Sequence, residues 1–339
     1  MRAVVMQDGK LRVDEVPEPV PGPGEVLVDV LACGICGSDL HCAAHGPAFN
    51  AALKGAVGAE LLDLSRPIVF GHEFVGRVVS YGPGTQARIP VGRRVVSMPM
   101  LLRAQPVLLG FAGADVPGGY AERMLLSEPL LIEVPDHVPT DVAALTEPLA
   151  VAYHAVNLGA RLLARPLAAS RCLVLGGGGI GIACALVLAM QGAADIHIGE
   201  PNAARRQTAA RAGPFQCYAP DAPGEPAKLS MDLVIDAVGA VATRVAASRL
   251  VKPGGVIIHV GLLPGSEGFD VRKITLQEII VAGTYCYTPL EFRQTLDAIA
   301  AGRLGPLDWI EERPLAEGPR AFQDIDAGRT AAAKIVLRP

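Results

Sequence analysis

Lysine and arginine never gather into a block in this sequence, and the formal net charge is −4, so neither nucleic acid nor an anionic membrane is expected as its main partner. Charge of either sign is thin. Only 19% of the residues are charged and 50% are hydrophobic, which argues against disorder and for a well-buried α/β protein; 38 glycines and 28 prolines provide for many tight turns. The opening Met1-Arg2-Ala3-Val4-Val5-Met6 runs into polar turn residues, without the basic-then-apolar order of a secretory leader, and a cytoplasmic protein is expected. Seven cysteines, an odd number with two in one short motif, fit a reducing compartment. Residues 173–194 carry no charge and are long enough to suggest a membrane span, but four consecutive glycines near their start make them a strand, a turn and a buried helix instead.

The 339 residues suffice for two domains. The first part of the chain is organised around Cys33-Gly34-Ile35-Cys36-Gly37-Ser38-Asp39-Leu40-His41 and, further on, Gly71-His72-Glu73. A thiolate and an imidazole from separate loops are what zinc prefers, and a catalytic ion keeps one coordination position open. The plain alternative is that Cys36 and His72 are unrelated core residues. Against it stands the company of Ser38, Asp39 and His41, a density of ionisable and hydroxyl groups foreign to a simple core strand. Around this motif, residues 3–6, 11–13, 25–32, 67–71 and 74–79 read as short strands, the 25–32 strand delivering Cys36 onto a glycine-flanked loop. Between His41 and Arg66 lies an Ala- and Gly-rich insertion whose residues 51–64 are expected to be helical.

The second part opens with a buried strand, Arg171-Cys172-Leu173-Val174-Leu175, followed by Gly176-Gly177-Gly178-Gly179-Ile180-Gly181 and a helix. Here G-x-G-x-x-G stands in its required context: a tight turn, backbone approach to a pyrophosphate, close helix–strand packing, and free N–H donors at the helix start. The strand at residues 195–199 ends at Glu200, close to the separation expected for a carboxylate that binds the ribose hydroxyls. That carboxylate would repel a 2′-phosphate, so NAD is expected over NADP, although Arg205 and Arg206 could pair a phosphate or face solvent. Further strands at 231–236, 256–260 and 279–283, alternating with helices, imply a doubly wound parallel sheet.

Taken together, Cys36-Gly37-Ser38-Asp39-Leu40-His41 and Gly71-His72-Glu73 resemble the zinc-dependent medium-chain alcohol dehydrogenases, and residues 33–39 are most similar to the sorbitol (polyol) dehydrogenase branch. The resemblance implies a GroES-like β-rich catalytic domain at 1–144, a Rossmann nucleotide-binding domain at 145–284, and a return to the catalytic domain at 285–339. It implies one catalytic zinc at Cys36, His72, Glu73 and Glu147, with Glu147 at the place of the family's third metal-site residue and the choice open between Glu73 and Glu147 as direct ligand or one of them acting through water. It also implies NAD held by Gly176, Gly178, Gly179, Ile180, Gly181, Glu200 and Arg205. Val260, Gly261 and Leu262 fall where the family brings strand ends to the nicotinamide. Ser38 would take the alcohol proton toward His41, Asp39 would orient His72, and a dry cleft between the domains would hold hydride donor and acceptor. A homodimer or homotetramer is expected.

Two departures from the family matter. Its second, structural zinc needs four cysteines near residues 90–120, and this stretch has none. Packing of residues 98–111, either as a buried loop or against another subunit, is expected in its place. The polyol branch has an arginine where Cys286 stands before Tyr287, and an aromatic where Cys42 stands, so a smaller or less polar secondary alcohol or ketone is expected as substrate. A zinc-free reductase of activated double bonds and a catalytically silent structural relative are the alternatives; the retained Cys36, His72, Glu147, Ser38 and His41 speak against both.

Overall fold

The computed structural model of the chain describes residues 1–57 and 62–339. Its Cα packing forms two compact units, Met1–Glu147 with Glu311–Arg329 and Lys334–Pro339, and Pro148–Ile310 with Thr330–Ala333.

The first unit is built from β1 (Arg2–Gln7), β2 (Lys10–Glu15), β3 (Glu25–Gly34), helix α1 (Gly37–Val57), β4 (Ile68–Val69), β5 (Glu73–Tyr81), β6 (Arg94–Ser97), β7 (Met100–Leu101), β8 (Val107–Leu108), β9 (Arg123–Ser127) and β10 (Leu131–Glu133), then the short α2 (Thr140–Ala143) and the start of α3 (Thr146–Leu162). Strand β3 is its axis. Nearly all of β3 is buried, because it pairs antiparallel with β5 along its length, with β9 over Glu25–Asp29, and with the C-terminal strand at Cys33 and Gly34. Val26, Val28, Phe74, Val95, Tyr120, Met124 and Leu126 form the core beneath it.

The motif after Cys36 lies on a helix that the pattern did not announce. Helix α1 begins at Gly37, with Asp39 in its first turn where the helix dipole favours an acid, and it is kinked at His45 (φ −136°, ψ 33°) just before Pro47. The helix expected over 51–64 is present at 51–57 and absent at 62–64; residues 58–61 lie outside the described residues. Glycine and proline at 46 and 47 masked a helix that its alanines favour.

The second unit is a six-stranded parallel sheet with the order β13-β12-β11-β14-β15-β16. Its elements are β11 (Arg171–Leu175), α4 (Gly179–Met190), β12 (Asp195–Gly199), α5 (Ala203–Ala212), β13 (Gln216–Tyr218), β14 (Met231–Asp236), α6 (Val241–Leu250), β15 (Val251–His259), α7 (Val271–Leu276), β16 (Ile280–Gly283) and α8 (Pro289–Ala300). The chain winds outward from β11 to β13, then restarts beside β11 and winds the other way, the expected doubly wound arrangement. The uncharged stretch at 173–194 resolves into β11, a turn and α4, and no helix among the described residues is long and apolar enough to cross a membrane.

After α8 the chain returns to the first unit through β17 (Ile310–Pro314), α9 (Gly318–Asp326) and β18 (Lys334–Arg338). The return comes at Glu311 and not at the expected residue 285. Helix α8 stays with the second unit because Glu291 on it accepts a hydrogen bond from Asn157 (2.9 Å) and lies 2.9 Å from His154, both on α3. That helix is the one helix of the 285–310 segment, and a buried carboxylate without those partners would be costly.

Candidate metal centre and nucleotide loop

Cys36 stands between the end of β3 and the start of α1; His72 and Glu73 arrive at the turn into β5. The antiparallel register sets Gly34 opposite Glu73, which brings the two motifs together from residues far apart in sequence. Glycine at 34 leaves the Glu73 carboxylate its place, since a Cβ there would lie 2.2 Å from Glu73 Oε2 and push it aside. Ligand atoms of Cys36, His72 and Glu73 all fall within 4.8 Å of one another, one thiol, one imidazole and one carboxylate.

The polar atoms around this cluster are not satisfied by the protein alone. Glu73 Oε2 and His72 Nδ1 are buried without a hydrogen-bond partner. Asp39 Oδ1 is a third such atom; it lies 3.3 Å from His72 Nδ1 without hydrogen-bond geometry. Its other oxygen, Oδ2, accepts from the Cys36 N–H (3.2 Å) and lies 2.6 Å from the Tyr120 hydroxyl. Glu73 Oε1 accepts from Lys334 Nζ at 2.6 Å, and Lys334 also donates to Ile35 O. His72 Nδ1 and Asp39 Oδ1 face each other as an ion pair, which leaves Glu73 Oε2 as the atom with no partner; a buried carboxylate oxygen left so beside a thiol and an imidazole fits a divalent cation such as zinc. No motif in the sequence marks Lys334 or Tyr120 as a site residue. A lone lysine heading the apolar run Lys334-Ile335-Val336-Leu337 was the available signal.

Burial opposes a charge on His72, but the Asp39 carboxylate and the Cys36 sulfur outweigh it and hold the imidazole well above its ordinary range in the absence of metal. Burial likewise opposes the Lys334 charge; Glu73, then Cys36 and Glu147, more than restore it. Glu147, in the first turn of α3, is thus near enough to be felt by Lys334, yet it is not one of the three mutually close ligand groups. Ser38 and His41 are half-buried, one turn apart on α1. Burial, and then the neighbouring His45, lower the His41 pKa, leaving it a neutral base near pH 7. Phe111 lies over the His72 ring at 5.3 Å and stacks in turn on Phe49 of α1 at 6.5 Å, an apolar wall on one side of the cluster.

In the second unit the glycine run forms the turn from β11 into α4. A Cβ on Gly181 would sit 1.9 Å from Gly176 O, so the helix packs against the loop only with glycine there, while Gly178 faces open space on its Cβ side. Glu200, at the end of β12, accepts from the Gly177 N–H and from the Asn202 N–H, each at 2.8 Å, and Arg205 Nε lies 3.7 Å from it. Each carboxylate oxygen keeps a second lone pair for a further donor. Val260 and Gly261 follow β15 and donate to Asp236 O; Leu262 is exposed. Tyr287 stacks on Phe292 at 5.3 Å, and Cys286, exposed, sits at φ +53°.

A β-rich unit with a thiol–imidazole–carboxylate cluster, and a parallel sheet with a glycine loop and a terminal carboxylate, define a metal-dependent dehydrogenase. The comparisons agree. Residues 22–136 match the alcohol dehydrogenase GroES-like domain and residues 179–301 the zinc-binding dehydrogenase domain. A Saccharomyces cerevisiae protein named as a probable diacetyl reductase, (R)-acetoin forming, is 31% identical over 87% of this chain and 78% of its own length. The crystal structure of 2R,3R-butanediol dehydrogenase from Bacillus subtilis superposes with a TM-score of 0.82 at 26% identity, covering 100% of this chain and 99% of that one. Acetophenone reductase from Geotrichum candidum, solved with NAD, gives a TM-score of 0.83 at 25% identity over 100% and 97%. The chain belongs to the zinc-binding, medium-chain alcohol dehydrogenase family, as an oxidoreductase of secondary alcohols.

Proposed function

We propose that this chain is an NAD-linked dehydrogenase of a small secondary alcohol bearing a second oxygen on the neighbouring carbon, of the butanediol–acetoin kind, with one zinc per chain. The observation that carries it is the cluster of Cys36, His72 and Glu73 with the unpaired Glu73 Oε2. These three residues would hold the ion, with Glu147 next in reach. Zinc bound there supplies Lewis acidity that lowers the pKa of an alcohol toward neutrality.

Asp39 orients the His72 ring and anchors the Cys36 backbone, Ser38 receives the hydroxyl proton, and neutral His41 is the base behind it. The glycine loop at Gly176, Gly178, Gly179, Ile180 and Gly181 would hold the pyrophosphate, Glu200 and Arg205 the ribose, and Val260, Gly261 and Leu262 the nicotinamide, which takes the hydride when bound. Glu200 favours NAD. Phe111 and Phe49 make one wall apolar, and the sequence has cysteine at 42 and 286 where the polyol branch has an aromatic and an arginine; a four-carbon diol suits this better than sorbitol. Seven free cysteines support a reducing, cytoplasmic setting. Strand β16, uncharged and at the sheet edge with Ile280 and Val281 exposed, supports a homodimer through that edge.

The test is metal content per chain together with NAD-dependent oxidation of 2,3-butanediol stereoisomers, sorbitol and xylitol, before and after chelation. One zinc per chain, activity lost on chelation and preference for butanediol are expected. Activity indifferent to chelation would end the zinc reading, and preference for sorbitol or xylitol the substrate reading.

A further inference from the structure

Arg244 is a buried charge for which the proposed chemistry has no use. It lies in the first turns of α6 with only 3% of its surface exposed, and among the described residues no carboxylate pairs with it. Its Nη1 donates to Gly239 O at 2.6 Å and its Nε to Glu267 O, while Nη2 has no partner. A neutral side chain of the same length would pack there without the cost of burying a guanidinium, so two directed donors, aimed at two backbone carbonyls, are what arginine adds.

Both carbonyls belong to segments that meet at the end of the sheet. Gly239 follows β14 and is pressed against Gly261, which follows β15: a Cβ on Gly239 would lie 2.3 Å from Gly261 O, and one on Gly261 2.0 Å from the Val238 carbonyl carbon. On one side of this contact Asp236 holds both segments. Its Oδ1 accepts from the Val238 and Gly239 N–H groups, and its backbone oxygen from those of Val260 and Gly261. On the other side Arg244 ties Gly239 to Glu267, at the far end of the loop that begins at Gly261. That loop has no room to settle further onto α6, since a Cβ on Gly268 would meet Val241 O at 2.6 Å and Arg244 Cβ at 2.8 Å.

We infer that Arg244 is a positioning residue for the nicotinamide end of the cofactor, fixing the loop from Gly261 to Glu267 so that Val260, Gly261 and Leu262 present one backbone conformation to the ring. This rests on reading those three residues as the nicotinamide-facing segment. The adenosine and pyrophosphate half, assigned to the Gly176–Gly181 loop and Glu200, has no contact with Arg244 and is independent of it.

The experiment compares NADH with ADP-ribose, which lacks the nicotinamide, by calorimetric titration of the zinc-loaded wild type, Arg244→Met and Arg244→Lys. In Arg244→Met the Kd of NADH rises about tenfold, as expected for the loss of charge-assisted hydrogen bonds, and that of ADP-ribose stays within about twofold. The KM for NAD rises with it, more than kcat falls. Arg244→Lys keeps the charge but reaches only one carbonyl, so its NADH affinity is intermediate; it also carries the test if Arg244→Met folds poorly. Equal weakening of both ligands, unchanged NADH affinity in Arg244→Met, or full rescue by lysine overturns the inference. If the wild type binds NADH no better than ADP-ribose, the nicotinamide reading of Val260–Leu262 falls and takes this inference with it.

Discussion

Two neighbouring parts of the first unit solve the same problem, holding loops onto β3, in opposite ways. Around Cys36, His72 and Glu73 a buried carboxylate oxygen, Glu73 Oε2, is left for something the chain does not supply. In the 98–111 lobe, where the family's second zinc would sit, the polar groups find partners within the chain. Arg103 Nε donates to Glu25 Oε1 at 2.7 Å, Gly22 N–H to Glu25 Oε2 at 2.9 Å, and Leu102 N–H to Ser127 Oγ at 2.8 Å. Leu101 and Leu109 are fully buried beneath them. The proposed metal site keeps a buried ligand atom without a donor, whereas the 98–111 lobe, which has no cysteine, closes over with hydrocarbon and one ion pair.

The strongest way to break this contrast is at the thiol. Cys36→Ser should lower kcat/KM by about a thousandfold or more, because the Lewis acid contributes several kcal/mol to the transition state. Metal content should fall with it, while the melting temperature stays near that of chelated wild type. Zinc still at one per chain in the variant would place the ion elsewhere.

Next in size is Lys334→Met. Both partners of the Lys334–Glu73 pair are buried, so truncation strands the Glu73 carboxylate and should cost about 3–5 kcal/mol in denaturant unfolding. Bound zinc should recover part of that loss, since the stranded carboxylate then has a cation to meet. A variant as stable as wild type without metal would show that Glu73 is already neutral or solvated.

Asp39→Asn sharpens the comparison through pH. Second-layer partners of a ligating histidine are worth roughly 10–100-fold in metal affinity. In the metal-free protein the raised His72 pKa adds stability below the unfolded value near 6.5 and loses it as pH rises through the folded value. Metal binding needs neutral His72, so the gain in melting temperature on adding zinc should grow between about pH 6 and pH 8. Asp39→Asn removes the chief cause of the raised pKa and should flatten that slope; an unchanged slope would remove Asp39 from this role.

How much of this was legible beforehand follows the range of each interaction. The parallel sheet and glycine loop were readable because their signals are local: apolar runs, Gly176–Gly181, and Glu200 at a fixed distance. Cys36 and His72 could be named for their chemistry, but only the β3–β5 register shows that Glu73 comes within 4.8 Å of them. Lys334 and Tyr120 act on the site from 261 and 81 residues away along the chain, and no spacing rule reaches that far. Helix α1 was hidden because its kink at His45 and Pro47 breaks the periodicity on which helix reading depends. The return point at Glu311 was hidden for a similar reason: α8 is placed by Glu291 meeting α3, a contact between distant segments.

The smallest expected effect tests the metal-free half of the contrast. Arg103 is partly exposed and Glu25 almost wholly buried, so Arg103→Ala leaves Glu25 with its Gly22 N–H bond but no counter-charge, at a cost of about 1–2 kcal/mol. Because this lobe owes nothing to metal, the loss should be the same in zinc-loaded and chelated protein, and zinc content and kcat should not change. Were the lobe instead part of the catalytic scaffold, the loss would deepen on chelation, and a double-mutant cycle with Lys334→Met would show coupling beyond the few tenths of a kcal/mol expected for independent sites. Additivity in that cycle would mean that packing and one ion pair replaced the structural metal without drawing on the catalytic one.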